Sequence, residues 1–158
     1  MVVGTPKELA MYLWQLDKDK KYKLEEYKEK RSLDANGYCW VLCKALADVL
    51  RITKEEVYRQ AIKAVGCFEI LPLKNEAVEK FEQGWKRNGI GWVCEVLGES
   101  KLKGYTNLVA YYGSSSYNTK EMSILIDYLV QECKQQDLPT LEDIKIKSLL
   151  EEWGKYEH

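Results

Sequence analysis

Residues 28–44 read KEKRSLDANGYCWVLCK, and the point where this stretch turns helical decides how the rest of the chain is parsed. A basic run stops at Arg31. Ser32 or Asp34 can then cap a helix, because a short polar side chain accepts a hydrogen bond from the free N–H groups of a first turn. The spacing predicts a helix from about Asp34 to Arg51. At ~100° per residue, with Cys39 at zero, Leu42, Cys43, Leu46, Val49 and Leu50 share one apolar arc. Trp40 falls at about 100°, on the margin of that arc, with Arg51 and Lys44 at about 120° and 140°. An indole so placed is either a boundary residue packed on another element or a platform on which an unpaired base stacks, with cations beside it for the phosphate. Both readings stand at this point.

Helix signals recur on either side. In TPKELAMYLWQLD, Thr5 caps, Pro6 suits the first helical position and Glu8 closes a capping box. In KDKKYKLEEYKEK, residues 18–30, Tyr22, Leu24 and Glu26 alternate with Lys23, Glu25 and Tyr27; the Glu/Lys content also suits helix, and the segment is read as a solvated edge strand. Thr53 and Glu56 predict a second capping box at the head of a helix from about Lys54 to Val65. CFEILPL is a short strand, and NEAVEKFEQGWKRNG is a helix burying Val78, Phe81 and Trp85 and stopping at Gly89. GWVCEVLGE and YTNLVAYYG are strands joined by the basic connector SKLKG. Asn118 and Glu121 form a third capping box for a helix reaching about Asp137, and Thr140 opens a last helix ending near Gly154. The order α-β-α-α-β-α-β-β-α-α predicts an α+β fold, with helices packed on a small, mostly antiparallel sheet in a single domain.

The 158 residues, 46% apolar and 31% charged, are long enough for one core. No apolar run approaches the ~20 residues of a membrane helix, and the start MVVGTPKELAMYLW lacks the layout of a signal peptide, so a cytoplasmic location is expected. The five cysteines include no CxxC pair, and the sole histidine is His158, so a tetrahedral metal site is not expected from Cys39 and Cys43. Buried, reduced thiols are the better reading. The net charge of −1 hides a polarity along the chain: seven basic residues face four acidic ones over 18–31, leaving +3, and four basic face nine acidic over 121–158, leaving −5.

No motif of nucleophilic, P-loop or zinc chemistry is present. Asp34, Glu69 and Glu95 can be nominated for a two-metal nuclease, a distant third reading. Binding is better supplied with candidates. Lys20, Lys21, Lys23, Lys28, Lys30 and Arg31 form a basic segment with tyrosines interleaved, and Trp40, Lys44 and Arg51 follow it on the helix. Lys101 and Lys103 lie in the hairpin connector. Ser114, Ser115, Ser116 and Tyr117 precede a helix start, where hydroxyls and free N–H groups favour an anion or feed the Asn118 cap as an ordinary polar loop.

The string Arg31-Ser32-Leu33-Asp34-x-Asn36 followed by Trp40, with the later Gly113–Ser116 segment and its long helix, resembles the NinB family of phage recombination proteins, also called the Orf family after the phage lambda member. The resemblance spans roughly Tyr22 to Asp143. It implies a homodimer that binds single-stranded DNA, cooperates with the host single-stranded-DNA-binding protein, and acts as a recombination mediator without catalysis or cofactor. Trp40 carries over to the family's DNA-binding cleft, whereas Ala35 departs from a pattern that has a polar amide there. The competing expectation is a protein-interaction adaptor, its aromatics forming an interface and its acidic C-terminal helices docking a partner.

Overall fold

The computed structural model describes residues 2–26 and 34–155. The chain divides into two compact units, residues 1–32 and 33–158. In the first, α1 (Pro6–Leu13) carries the expected capping box: Thr5 Oγ1 accepts from the Glu8 N–H, and Glu8 Oε2 accepts from the Thr5 N–H at 2.9 Å. Burial of α1 is slight, with Met11 at 75% and Trp14 at 79% exposure. The edge strand expected over 18–30 is not formed where the chain is described. Residues 18–26 carry no strand pairing, and 27–30 lie outside the described residues. Tyr22 and Leu24, the apolar side of the alternation, are 52% and 70% exposed, so no packing held the segment in a sheet.

The second unit is α+β. Its elements are α2 (Ala35–Leu50), α3 (Lys54–Val65), β1 (Phe68–Lys74), a 3₁₀ turn (Asn75–Ala77), α4 (Val78–Lys86), β2 (Val93–Glu99), β3 (Tyr105–Tyr111), a 3₁₀ turn (Ser114–Ser116), α5 (Thr119–Gln135) and α6 (Asp143–Lys155). Asp34 is the N-cap of α2, its Oδ1 accepting from the Gly37 N–H at 2.6 Å, an interaction worth ~1 kcal/mol. Thr53 caps α3 through the Glu56 N–H at 3.1 Å, but the reciprocal half of that box is replaced. The Glu56 carboxylate instead accepts from Gln60 Nε2 one turn on. At α5 both halves of the box form, between Asn118 and Glu121. The last helix starts at Asp143 rather than Thr140, and in the connector before it the Leu141 N–H donates to Tyr38 Oη of α2 at 2.9 Å.

Helices α2, α3, α5 and α6 enclose the main core. Cys39, Leu42, Cys43 and Leu46 meet Met122, Leu125, Ile126 and Leu129, with Trp153 closing one side. Each fully buried aliphatic contributes ~1.5–3 kcal/mol. The apolar arc read from the sequence is correct through Leu46 and wrong beyond it: Val49 and Leu50 are each 45% exposed, since the final turn of α2 runs past the core. Arg51 then ends the helix in the left-handed region, φ 57°. Its N–H bonds the Ala47 carbonyl.

The sheet is antiparallel in the order β1-β3-β2. Leu108 and Ala110 of β3 share one face with their partners Leu71 and Cys94, and Val78, Phe81 and Trp85 of α4 cover that face. These three α4 residues are half-buried, and the helix ends at Lys86, three residues before the expected stop. On the opposite face Phe68 and Ile70 are exposed beside the buried Val109. All five cysteines are free thiols. Cys67 is half-buried and the other four are buried. Burial pushes the Cys43 thiol up to about 12.

Candidate nucleic-acid interface

Trp40 leaves the first turns of α2 at the edge of the core and is half-buried. Its ring lies 4.3 Å from that of Tyr58 on α3, tilted by 31°, so one side of the indole is backed by a buried aromatic. Lys54, the first residue of α3, sits with its ammonium 6.0 Å from the indole centroid, at the outer limit of a cation–π contact. Lys44, one turn further along α2, is exposed, as is Arg51. The helix wheel placed Lys44 correctly. It could not supply Tyr58 or Lys54, which arrive from another element.

Tyr58 is itself fixed by a buried polar chain. The Ser114 N–H donates to Tyr58 Oη at 2.9 Å, and the Ser114 hydroxyl donates to Asn36 Oδ1 at 2.6 Å. With that hydroxyl proton committed, the 2.5 Å contact between Tyr58 Oη and Ser114 Oγ must be donated by the tyrosine. Burial raises the Tyr58 phenol, partly offset by the Ser114 N–H that it accepts, so it stays neutral and can play this donor role. Gly91 packs against the hydroxyl end of the ring. A methyl group there would meet Tyr58 Cε1 at 2.5 Å, which only glycine avoids.

Two of the serine-loop candidates are therefore corrected. Ser114 is fully buried and spends its donors on Tyr58 and Asn36. Tyr117, 1% exposed, accepts the Cys67 N–H at 3.2 Å and donates to the Tyr112 carbonyl at 3.0 Å, while Trp153 Nε1 donates to its carbonyl at 2.8 Å. Both residues lock β1, β3 and the helices together and present nothing to a ligand. Ser115 and Ser116 are exposed, and the Ser116 hydroxyl donates to the Gly113 carbonyl at 2.8 Å. Asn36 joins α2 to the 3₁₀ turn before α5.

Lys101 and Lys103 are exposed in the β2–β3 connector. Lys20, Lys21 and Lys23 are exposed in the first unit, where Lys20 pairs with Asp17 at 3.8 Å and Lys23 with Glu25. Lys28, Lys30 and Arg31 lie outside the described residues, as do Ser32 and Leu33 of the motif. The nuclease nominees do not meet: Asp34 is spent on its cap, Glu95 pairs with Lys63, and no three His, Cys, Asp or Glu side chains cluster among the described residues.

One concave basic site escaped the sequence reading. Arg59 and Lys63 of α3, Lys86 at the end of α4 and the half-buried Trp92 line a cleft between α3 and the start of β2. The available signal was the i, i+4 spacing of Arg59 and Lys63 on an otherwise amphipathic helix, which reads as solvated surface until the 89–92 turn is folded across from it. Among the described residues no helix is long and apolar enough to cross a membrane. Compared with protein-family models, with curated proteins and with solved structures, the chain matches none.

Proposed function

We propose that this protein binds single-stranded DNA as a non-catalytic accessory factor of phage recombination. The observation that carries the reading is the half-buried Trp40, backed by Tyr58 at 4.3 Å and flanked by Lys54 and the exposed Lys44. A backed indole loses little freedom when a base stacks on its open side, and the neighbouring ammonium groups meet the phosphates. The Asp34-x-Asn36-x-x-x-Trp40 resemblance supports the same surface. It also supports the remaining elements of the proposal: a homodimer, cooperation with the host single-stranded-DNA-binding protein, and action in the host cytoplasm.

Titration of a labelled oligonucleotide at several salt concentrations tests this directly. Affinity is expected to fall as salt rises, to favour single over double strands, and to drop by roughly 1–3 kcal/mol in Trp40→Ala. Binding that ignores salt, or a Trp40→Ala protein that binds as before, refutes the reading. Light scattering at micromolar protein separately tests the dimer, which a monomer mass rejects. A second reading, a protein-interaction adaptor, draws on the exposed Phe68 and Ile70 of the sheet's outer face. It becomes the better account if no oligonucleotide binds.

A further inference from the structure

The cleft between α3 and β2 has a volume of about 630 Å³, inside the roughly 300–1,000 Å³ range of small-ligand sites. One wall is apolar, built from Ile90 and Trp92. The Trp92 indole is held edge to face by Trp85 at 5.1 Å and Tyr112 at 5.5 Å. It also fills the space beside Gly113, where a methyl group would lie 2.5 Å from Nε1. The ring is therefore rigid. The same cleft is lined by Arg59, Lys63, Lys86 and Glu95. Lys63 is already engaged by Glu95, but neither Arg59 nor Lys86 forms an ion pair among the described residues. Among the described residues Arg59 commits only its Nε–H, to the Ile90 carbonyl at 3.4 Å, which leaves the rest of the guanidinium fork for an anion.

A packed apolar wall sharing one cleft with two unneutralised cations suits a ligand with a planar ring at one end and a dianion at the other. We propose that this cleft binds a nucleoside 5′-monophosphate, its base against Trp92 and its phosphate between Arg59 and Lys86. Two sources share that chemistry: a free nucleotide and the 5′-phosphorylated end of a DNA strand. Only the second rests on the strand-binding reading above.

The test uses the full chain with ¹⁵N-labelled tryptophan, following the Trp92 indole N–H resonance, assigned with Trp92→Phe. The chain is titrated with dAMP, deoxyadenosine, inorganic phosphate and phosphotyrosine. Saturable movement of the Trp92 resonance by dAMP is expected, at least about tenfold tighter than with deoxyadenosine or phosphate alone, since each half then contributes one charge-assisted or stacking term. Arg59→Gln and Lys86→Gln, both at exposed positions, should each weaken dAMP about tenfold while the other indole resonances stay in place. A 5′-phosphorylated oligonucleotide that moves Trp92 when its 5′-hydroxyl counterpart does not assigns the strand end as the source. No movement with either supports the free nucleotide. No response to millimolar dAMP, inorganic phosphate binding as tightly as dAMP, or phosphotyrosine binding more tightly overturns the proposal. Trp40 does not line this cleft, so a Trp40→Ala protein that loses oligonucleotides should still answer dAMP, and the two readings fail separately.

Discussion

Replacing Tyr58 with Phe removes one oxygen from the Asn36–Ser114–Tyr58 chain and leaves the ring that backs Trp40 in place. The cost follows from the partners. The Ser114 N–H loses its acceptor at 2.9 Å while remaining buried, and Ser114 Oγ loses the donor at 2.5 Å. Stranding a buried donor costs ~1–3 kcal/mol and losing a neutral hydrogen bond a further ~1 kcal/mol, so the variant should be less stable by about 2–4 kcal/mol. Ser114→Ala deprives Asn36 Oδ1 of its donor and the Tyr58 hydroxyl of its acceptor, but the backbone N–H keeps Tyr58 Oη, so about 1–3 kcal/mol is expected. Because both variants break the same contact, their double mutant should fall short of the sum by ~0.5–3 kcal/mol. Urea melts followed by tryptophan fluorescence on the four proteins complete the cycle. Additive effects, or single losses under about 0.5 kcal/mol, would mean that water reaches this chain and that Tyr58 is held by its ring alone.

Three further outcomes follow from other contacts. Gly91→Ala should destabilise by ~1–3 kcal/mol, since its methyl meets the tethered Tyr58 ring at 2.5 Å, whereas Gly84→Ala, with nothing within 4 Å on α4, should stabilise by ~0.5–1 kcal/mol; equal melting temperatures for the two refute the packing argument. Stability should be flat near neutrality and fall as pH rises above about 9, because burial raises the Cys43 thiol to about 12 and the Cys67 thiol to about 11 from an ordinary 9.0. The folded state then holds protons that the unfolded chain releases, and urea midpoints between pH 7 and 10.5 measure the loss, a rise or no change contradicting it. Lys20, Lys21 and Lys23 changed together to Glu should weaken oligonucleotide binding whatever the base sequence and flatten its salt dependence, with the fold unaffected, since all three are exposed. Unchanged affinity removes the N-terminal basic segment from the interface.

The positions of most elements were legible in the residues alone. Capping chemistry is local: a Thr, Asp or Asn side chain reaches N–H groups three residues on, so the starts of α1, α2, α3 and α5 were readable wherever such a residue preceded an apolar period. Strand pairs near a short connector were equally local, as β2 and β3 show. Register errors appeared where the decision belonged to distant partners. The connector before α6 is tied to Tyr38 from more than a hundred residues upstream, and Val49 and Leu50 in the last turn of α2 are left exposed although they lie on its apolar arc. The same division applies to the site. Sequence placed Trp40 at a boundary with Lys44 beside it, because both lie on one helix. It could not tell that Ser114 is interior rather than ligand-facing, since a serine's role depends on whether a buried partner reaches it. Nor could it assemble Arg59, Lys86 and Trp92, which sit on three elements and become neighbours only when α3, α4 and the 89–92 turn pack together.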